Sequence, residues 1–439
     1  MVLRSDSVAG RACAKPVAAG RAEGRHGLNR AGALRLVACG ILGFGAAMLV
    51  AALLLSTYTA GRITKIPLDI DTTLVSNGTA IALDPASLST DRFVANNNVP
   101  VVQQQQYSTE SGVETPSNAD LVTLQVGTTL RRTDKQQDMG LLLAIVDTVT
   151  LNRRTAMAVS SDNNPAGSVQ KPRTMDDTKP PTNIPLKHDG LNYRFPFNVE
   201  KKTYPYFDPI AQKTFDANYD GEEDVLGLTT FHFKQNVGLD NDGKLVAPVE
   251  YPSLYDRDED ANVSARAALW GLSGPPEEQV SMKRYYAAQR DFWVDPVSGT
   301  IVKSKERGLH YYVRCGDPEC KAKDPLKPDV TLVDFTVTSN EATVERQVNA
   351  ARNERDRVAL WDRILPISFT ALGIIGLVGG TLLGLFGVRA NAALIDPGLD
   401  TADHGFFRPR GPSGEPVPGA EAETEKLPTQ RRPPPEPRS

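Results

Sequence analysis

Two stretches without a single charge, residues 36–61 and 364–388, constrain this chain more than any other feature of it. They run for 26 and 25 residues, and a helix needs only about 20 to cross the hydrocarbon core of a bilayer. In water, a helix that is apolar all round has to be covered on every side. We therefore expect two transmembrane helices, with a pair of buried core helices as the plainer alternative. A cleaved signal peptide is the rival for the first stretch. Its apolar run exceeds the roughly 7–15 residues of a signal core, and no small-x-small cleavage site follows it, which favours a retained anchor.

Basic residues set the expected orientation. Residues 1–35 carry seven basic and two acidic side chains, so this head is expected in the cytosol. Two spans return residues 389–439 to the same side, and that tail, rich in Pro, Gly and Glu and ending in RRPPPEPRS, reads as disordered. The intervening 62–363 carries a net charge of −8 and is expected on the far side. Whole-chain averages hide this segregation: 439 residues, a net charge of −4 and 40% hydrophobic content would suit a soluble protein. They exclude a collagen or a disulfide-stapled miniprotein, and they leave no concentrated basic face for nucleic acid. Cys315 and Cys320 bracket CGDPEC, where Gly-Asp-Pro supplies a tight turn, and read as a disulfide of an exported compartment. A metal site is disfavoured because no second Cys/His pair lies nearby.

Between the spans the recurrent pattern is short and extended. TAIALDP, DLVTLQVGTTL, LLLAIVDTVTLN, LTTFHFKQNV, GTIVKS, LHYYVRC and VTLVDFTVT are rich in β-branched and aromatic residues and bounded by turn residues. Asn241-Asp242-Gly243 and the run from Asp295 to Gly299 read as hairpin turns. Residues 161–183 read as a long polar loop, and a short helix is expected near 265–270. Thr338-x-x-Glu341 has capping-box spacing, and Val344, Val348, Ala351, Val358 and Trp361 follow at helical intervals, so a stalk helix is expected to run into the second span. In that span Gly376, Gly380 and Gly384 repeat every four residues, as do Cys39, Gly43, Ala47 and Ala51 in the first. Small residues at this period let helix backbones approach, so Gly43, Ala47, Gly376, Gly380 and Gly384 are the expected packing positions.

Enzyme signatures are missing. His188, His232 and His310 form no HExxH, and there is no Walker or dinucleotide glycine loop and no complete nucleophile elbow. The run from Asp240 to Gly243 fails as a calcium loop because Gly238 and Val249 stand where ligands should be. Asp256, Asp258, Glu259 and Asp260 read as a solvated acidic loop rather than a cation site. No catalytic residue, metal or cofactor is expected. One block is denser: LKHDGLNYRFPFNVEKKTYPYFDP sets Tyr193, Phe195, Phe197, Tyr204, Tyr206 and Phe207 among Arg194, Lys201 and Lys202. Rings beside cations suit a sugar or an anionic head group; equally, these aromatics suit the core of a hairpin.

The order of KIPLDIDTT, ALDPASL, GLNYRFPFNVEKKTYPYFDP and YDGEEDVLGLTTFHF, closed by the glycine-rich span, resembles the PorA-like family of envelope proteins from mycolate-bearing actinobacteria, over residues 36–388. The resemblance implies periplasmic trafficking of envelope glycolipids such as trehalose monomycolate, alongside a large membrane exporter. No ring of amphipathic strands long enough for a membrane pore is legible. GEEDVLGLTTFHF and DFWVDPVSGTIVKSKE are similar to signatures of exported lipoprotein-carrier folds, which implies a curved antiparallel sheet around an apolar groove for acyl chains.

The expected organisation is a basic cytosolic tail (1–35), a first span (36–61), a β-rich periplasmic domain (62–338), an amphipathic stalk helix (339–363), a second span (364–388) and a disordered cytosolic tail (389–439). The expected fold is mainly β, an antiparallel curved or barrel-like sheet, with two related modules hinted at by TLNRRTAMAVSS against WVDPVSGTIVKS. The expected function is a two-pass inner-membrane protein that binds a mycolate ester and helps move it outward. Burying each methylene would contribute about 0.8 kcal/mol. The alternative is a non-catalytic scaffold or accessory subunit of an exporter or envelope-synthesis complex; a membrane lipid or glycolipid and an exporter are the expected partners.

Overall fold

Strands in this chain run well past the apolar words that announce them. The computed structural model describes residues 30–88, 90, 92–111, 117–161, 165–170, 183–251, 262–316 and 320–392. The basic head up to residue 29, most of the polar loop, the acidic group at 256–260 and the proline-rich tail beyond 392 lie outside them. Among the described residues fourteen strands form one antiparallel sheet. The first half comprises β1 (Asp71–Leu83), β2 (Ala95–Glu110), β3 (Leu121–Arg132), β4 (Leu141–Asn152), β5 (Gly167–Gln170), β6 (Asn183–Pro185) and β7 (Tyr204–Asp208). The second comprises β8 (Lys213–Val225), β9 (Leu228–Val237), β10 (Val249–Glu250), β11 (Asn262–Arg266), β12 (Gln279–Val294), β13 (Ile301–Arg314) and β14 (Val330–Ser339).

The expectation of short strands is corrected: β2 and β12 each have 16 residues and β13 has 14. Polar residues hide this length in the sequence. Along β2 the period of two holds while the residue type changes, so Val99, Val101 and Gln103 are buried whereas Gln104 and Gln106 are exposed.

The ladder runs β6-β5-β4-β3-β2-β1-β14-β13-β12-β9-β8-β7, with β10 and β11 added on β12. It is not closed. Its two ends are instead tied by isolated bridges: Leu191 bridges Met157 and, in parallel, Tyr206 of β7, while Ala158 bridges Leu151 of β4. The Leu191 amide donates to the Pro205 carbonyl (2.8 Å) and the Phe207 amide to the Leu191 carbonyl (2.9 Å). Side chains agree. Val122, Leu124 and Leu151, from β3 and β4, share one core with Tyr206, Phe233 and Phe292 from β7, β9 and β12.

On another surface of the sheet lies the helix Glu341–Ala359. It is capped by Asn340, whose side chain accepts from the Thr343 amide at 2.9 Å, and not by the expected Thr338 box. Val344, Val348 and Ala351 pack against Val225, Leu228, Trp293 and Val302, and burying each of the two helix valines contributes about 1.5–3 kcal/mol. This helix is therefore bonded to the sheet along its inner face. The Cys315–Cys320 disulfide closes the turn after β13.

The chain divides into two units, residues 37–382 and the combined ends 1–36 and 383–439. The described residues of the ends are helical. Among the described residues two helices are long and apolar enough to cross a membrane: an N-terminal one, Arg30–Leu54, and a C-terminal one, Leu365–Ala392. The second continues from the sheet-bound helix through a π turn at Leu360–Ile364. Within residues 37–382 the two meet at glycines. A Cβ on Gly45 would stand 2.9 Å from the Gly373 carbonyl oxygen, and one on Gly376 would stand 2.9 Å from the Gly45 Cα. Gly380 faces Leu42 and the Ala38 carbonyl. The expected Gly43 and Ala47 are corrected to Gly45 on the N-terminal side: Gly43 looks into open space and Ala47 is exposed.

Candidate functional site

A cavity of about 160 Å³ lies within the β unit, lined from β1, β2, β3, β4, β7, β12, β13 and β14. Most of its wall is aliphatic or aromatic, including Ile70, Leu124, Ile145, Phe292 and Phe335. Polar groups come chiefly from two places. In β2, Gln103, Gln105 and Tyr107 follow one another at a spacing of two and so face the same way. The Tyr107 hydroxyl donates to Gln105 Oε1 at 3.2 Å, and its ring meets the edge of Tyr193 at a centroid distance of 5.8 Å.

The other group centres on Arg290 of β12. Its guanidinium donates to Asp208 Oδ2 (2.5 Å), to Glu306 Oε1 (2.8 and 3.0 Å), to Gln235 Oε1 (3.1 Å) and to the Tyr286 hydroxyl (2.8 Å). Tyr286 in turn donates to Asp208 Oδ2 at 2.9 Å, and Gln103 donates to Glu306 Oε2 at 2.8 Å. Burial works against the Arg290 charge, but the neighbouring Asp208, Tyr286 and Glu306 outweigh it and hold its pKa well above the ordinary value. A buried cation is tolerated only with such partners. The geometry can fix a polar group against an apolar wall; among the described residues it offers no paired nucleophile and base.

The aromatic block singled out in the sequence is dispersed. Tyr193, Arg194, Tyr206 and Phe207 line the cavity. Phe195 is fully buried, 4.7 Å from Phe233 and 5.5 Å from Tyr204 by ring centroids. Phe197 lies under the Arg194 guanidinium at 5.4 Å, and Arg194 pairs with Glu354 of the sheet-bound helix at 2.5 Å. Lys201 and Lys202 are exposed, paired with Glu222 and Glu200. Gln103, Gln105, Tyr107, Arg290 and Glu306 were not legible as a site. Their one signal is that a glutamine run inside a strand must turn half its amides inward.

A family model described as Porin PorA matches residues 37–382, so this long antiparallel sheet flanked by two apolar helices belongs to the PorA family. A protein named Porin PorA from Corynebacterium amycolatum is 28% identical over 390 residues, covering 80% of this chain and 97% of that relative. A second Porin PorA, from Corynebacterium resistens, is 27% identical over 415 residues, covering 79% and 95%.

These names overturn three expectations. Both relatives are named as porins, which are channel formers, so the function of binding and carrying an envelope glycolipid is corrected. The scaffold alternative gains nothing from them. The expected lipid and exporter partners fall with the carrier reading, as does the two-pass inner-membrane location with a periplasmic domain. The physical reason is plain. Apolar spans and a β-rich exported segment are shared by many envelope proteins, and nothing in them distinguishes passing a solute from carrying a lipid.

Proposed function

We propose that this chain is a channel-type membrane protein rather than an enzyme, with its two apolar helices in lipid and its β unit, rolled into a barrel-like shape, in water. One observation carries the reading: exposed large apolar side chains are concentrated on the two helices. Leu53, Leu54, Ile367, Ile375, Leu385 and Phe386 are each more than half exposed. A β wall facing lipid needs an outward apolar band about 25 Å tall. Here Gln104 and Gln106 of β2 and Glu222, Glu223 and Asp224 of β8 are exposed instead. The inside of the sheet holds rings and the Arg290 network around a cavity of about 160 Å³, which is too small for a water-filled pore, so the conducting path runs among helices. Two helices that pack on each other at glycines do not by themselves surround a pore, so several copies surround one path.

The name of the relatives supports a channel. The test is planar-bilayer recording with the purified full chain. Discrete current steps are expected, and their size should follow the salt concentration. A folded, monodisperse preparation that leaves the bilayer at its baseline across voltage and salt would sink the reading.

A further inference from the structure

The wall of the β-unit cavity is specific in a way that the channel reading does not use. Its two buried cations are already matched. Arg290 is held between Asp208 and Glu306, and Arg194 is paired with Glu354; Lys305, the remaining cation of the wall, is exposed to solvent. An ionic ligand would therefore meet no unpaired buried charge to replace its lost hydration.

Several hydrogen-bonding atoms, most of them on neutral amides, are by contrast left over. Gln105 accepts from Tyr107 through Oε1, and its amide nitrogen has no hydrogen-bond partner among the described residues. Gln103 donates to Glu306, and its carbonyl oxygen has none there either. The Arg194 Nε is buried without a partner. An amide supplies both donors and acceptors, so these groups suit a hydroxyl or carboxamide edge. The same wall carries Leu124, Ile145, Phe292 and Phe335. The volume, about 160 Å³, matches a cavity that holds one six-membered ring, since an engineered apolar cavity of about 150 Å³ binds benzene.

We infer that this cavity is a binding site for an uncharged, ring-sized molecule with a polar edge, such as a phenol or a cyclic alcohol. Its ring packs on the aliphatic and aromatic wall and its hydroxyl bonds the Gln105 amide. A few convergent polar groups in an apolar pocket is the usual form of a small-molecule site. The inference stands beside the channel reading and does not depend on it.

The test uses the detergent-purified full chain and 4-fluorophenol, observed by fluorine NMR, with a protein-free micelle sample subtracted. Saturable binding is expected. Thr128→Phe, which fills the cavity from β3, should weaken it at least tenfold. Gln105→Leu, which keeps the volume but removes the amide, should weaken 4-fluorophenol about tenfold and leave fluorobenzene unchanged. Circular dichroism and melting confirm that both variants fold. Binding that is indifferent to both substitutions reports partition into detergent and overturns the inference. So does 4-fluorobenzoate binding as tightly as 4-fluorophenol.

Discussion

His310 illustrates how much a single side chain of this fold depends on its surroundings. It is 1% exposed on β13, between the rings of Tyr251 and Tyr286 at centroid distances of 5.7 and 4.9 Å. Neither ring nitrogen has a hydrogen-bond partner among the described residues. Burial, followed by the nearby Arg284 and Arg290, pushes its pKa well below the ordinary 6.5. The unfolded chain therefore binds a proton near pH 6.5 that the folded chain refuses, so the contribution of neutral His310 is complete above that pH and is lost as pH falls. The cost is at most about 1.4 kcal/mol per pH unit. Melting temperatures at pH 7.5 and 5.5 should show a drop for the native chain that is smaller in His310→Gln; equal drops would refute this. The sequence could show only a histidine in an aromatic strand, because its lack of partners arises from Tyr251 and from Tyr286 of β12, which pack against it.

At the scale of elements, the helix pair separates what periodicity can and cannot decide. Small residues at four-residue spacing were legible in both spans, and Gly376 and Gly380 do lie at the contact. On the N-terminal helix the period occurs on more than one face, and the contact uses Gly45 instead of Gly43. The difference predicts a pair of outcomes. Gly376→Leu places a branched side chain against the Gly45 backbone, which cannot yield, and should widen the distance between spin labels on the two helices by several ångströms. Gly43→Leu meets open space and should leave that distance unchanged. Equal distances in both variants would show that the glycine contact does not hold the pair. The strands tell a similar story. Hydrophobic words located most of them, but not their length, because β8 continues through DANYDGEEDV with only Ala217 and Val225 buried after Lys213.

For the whole molecule, the decisive feature is the seam between the two ends of the ladder. Besides the Leu191 bridges, a buried cluster holds it. Asp147 of β4 accepts from the Tyr193 hydroxyl at 2.6 Å and sits 2.9 Å from His188 Nε2, while His188 Nδ1 lies 3.0 Å from the Leu186 carbonyl. Removing one member of a buried hydrogen-bonded cluster leaves its partners unsatisfied, at a cost of about 1–3 kcal/mol. Asp147→Ala should therefore lower the denaturant midpoint, and hydrogen exchange should speed up most at the Leu191 and Phe207 amides. Exchange that rises uniformly, with β12 and β13 as much as the seam, would mean the cluster does not hold these edges together.

By itself, the sequence determined the elements that rest on local chemistry: two charge-free helices, an antiparallel β-rich middle from β-branched and aromatic runs, and the Cys315–Cys320 disulfide across a six-residue turn motif. Only the tertiary structure decided which glycine meets which helix, how fourteen strands order and where their ends are tied. It also decided that Gln105 and Arg290, 185 positions apart, line one cavity. The reason is physical. Strand and helix preference is written in neighbouring residues, whereas a cavity wall is assembled from strands whose adjacency depends on the packing of the whole sheet.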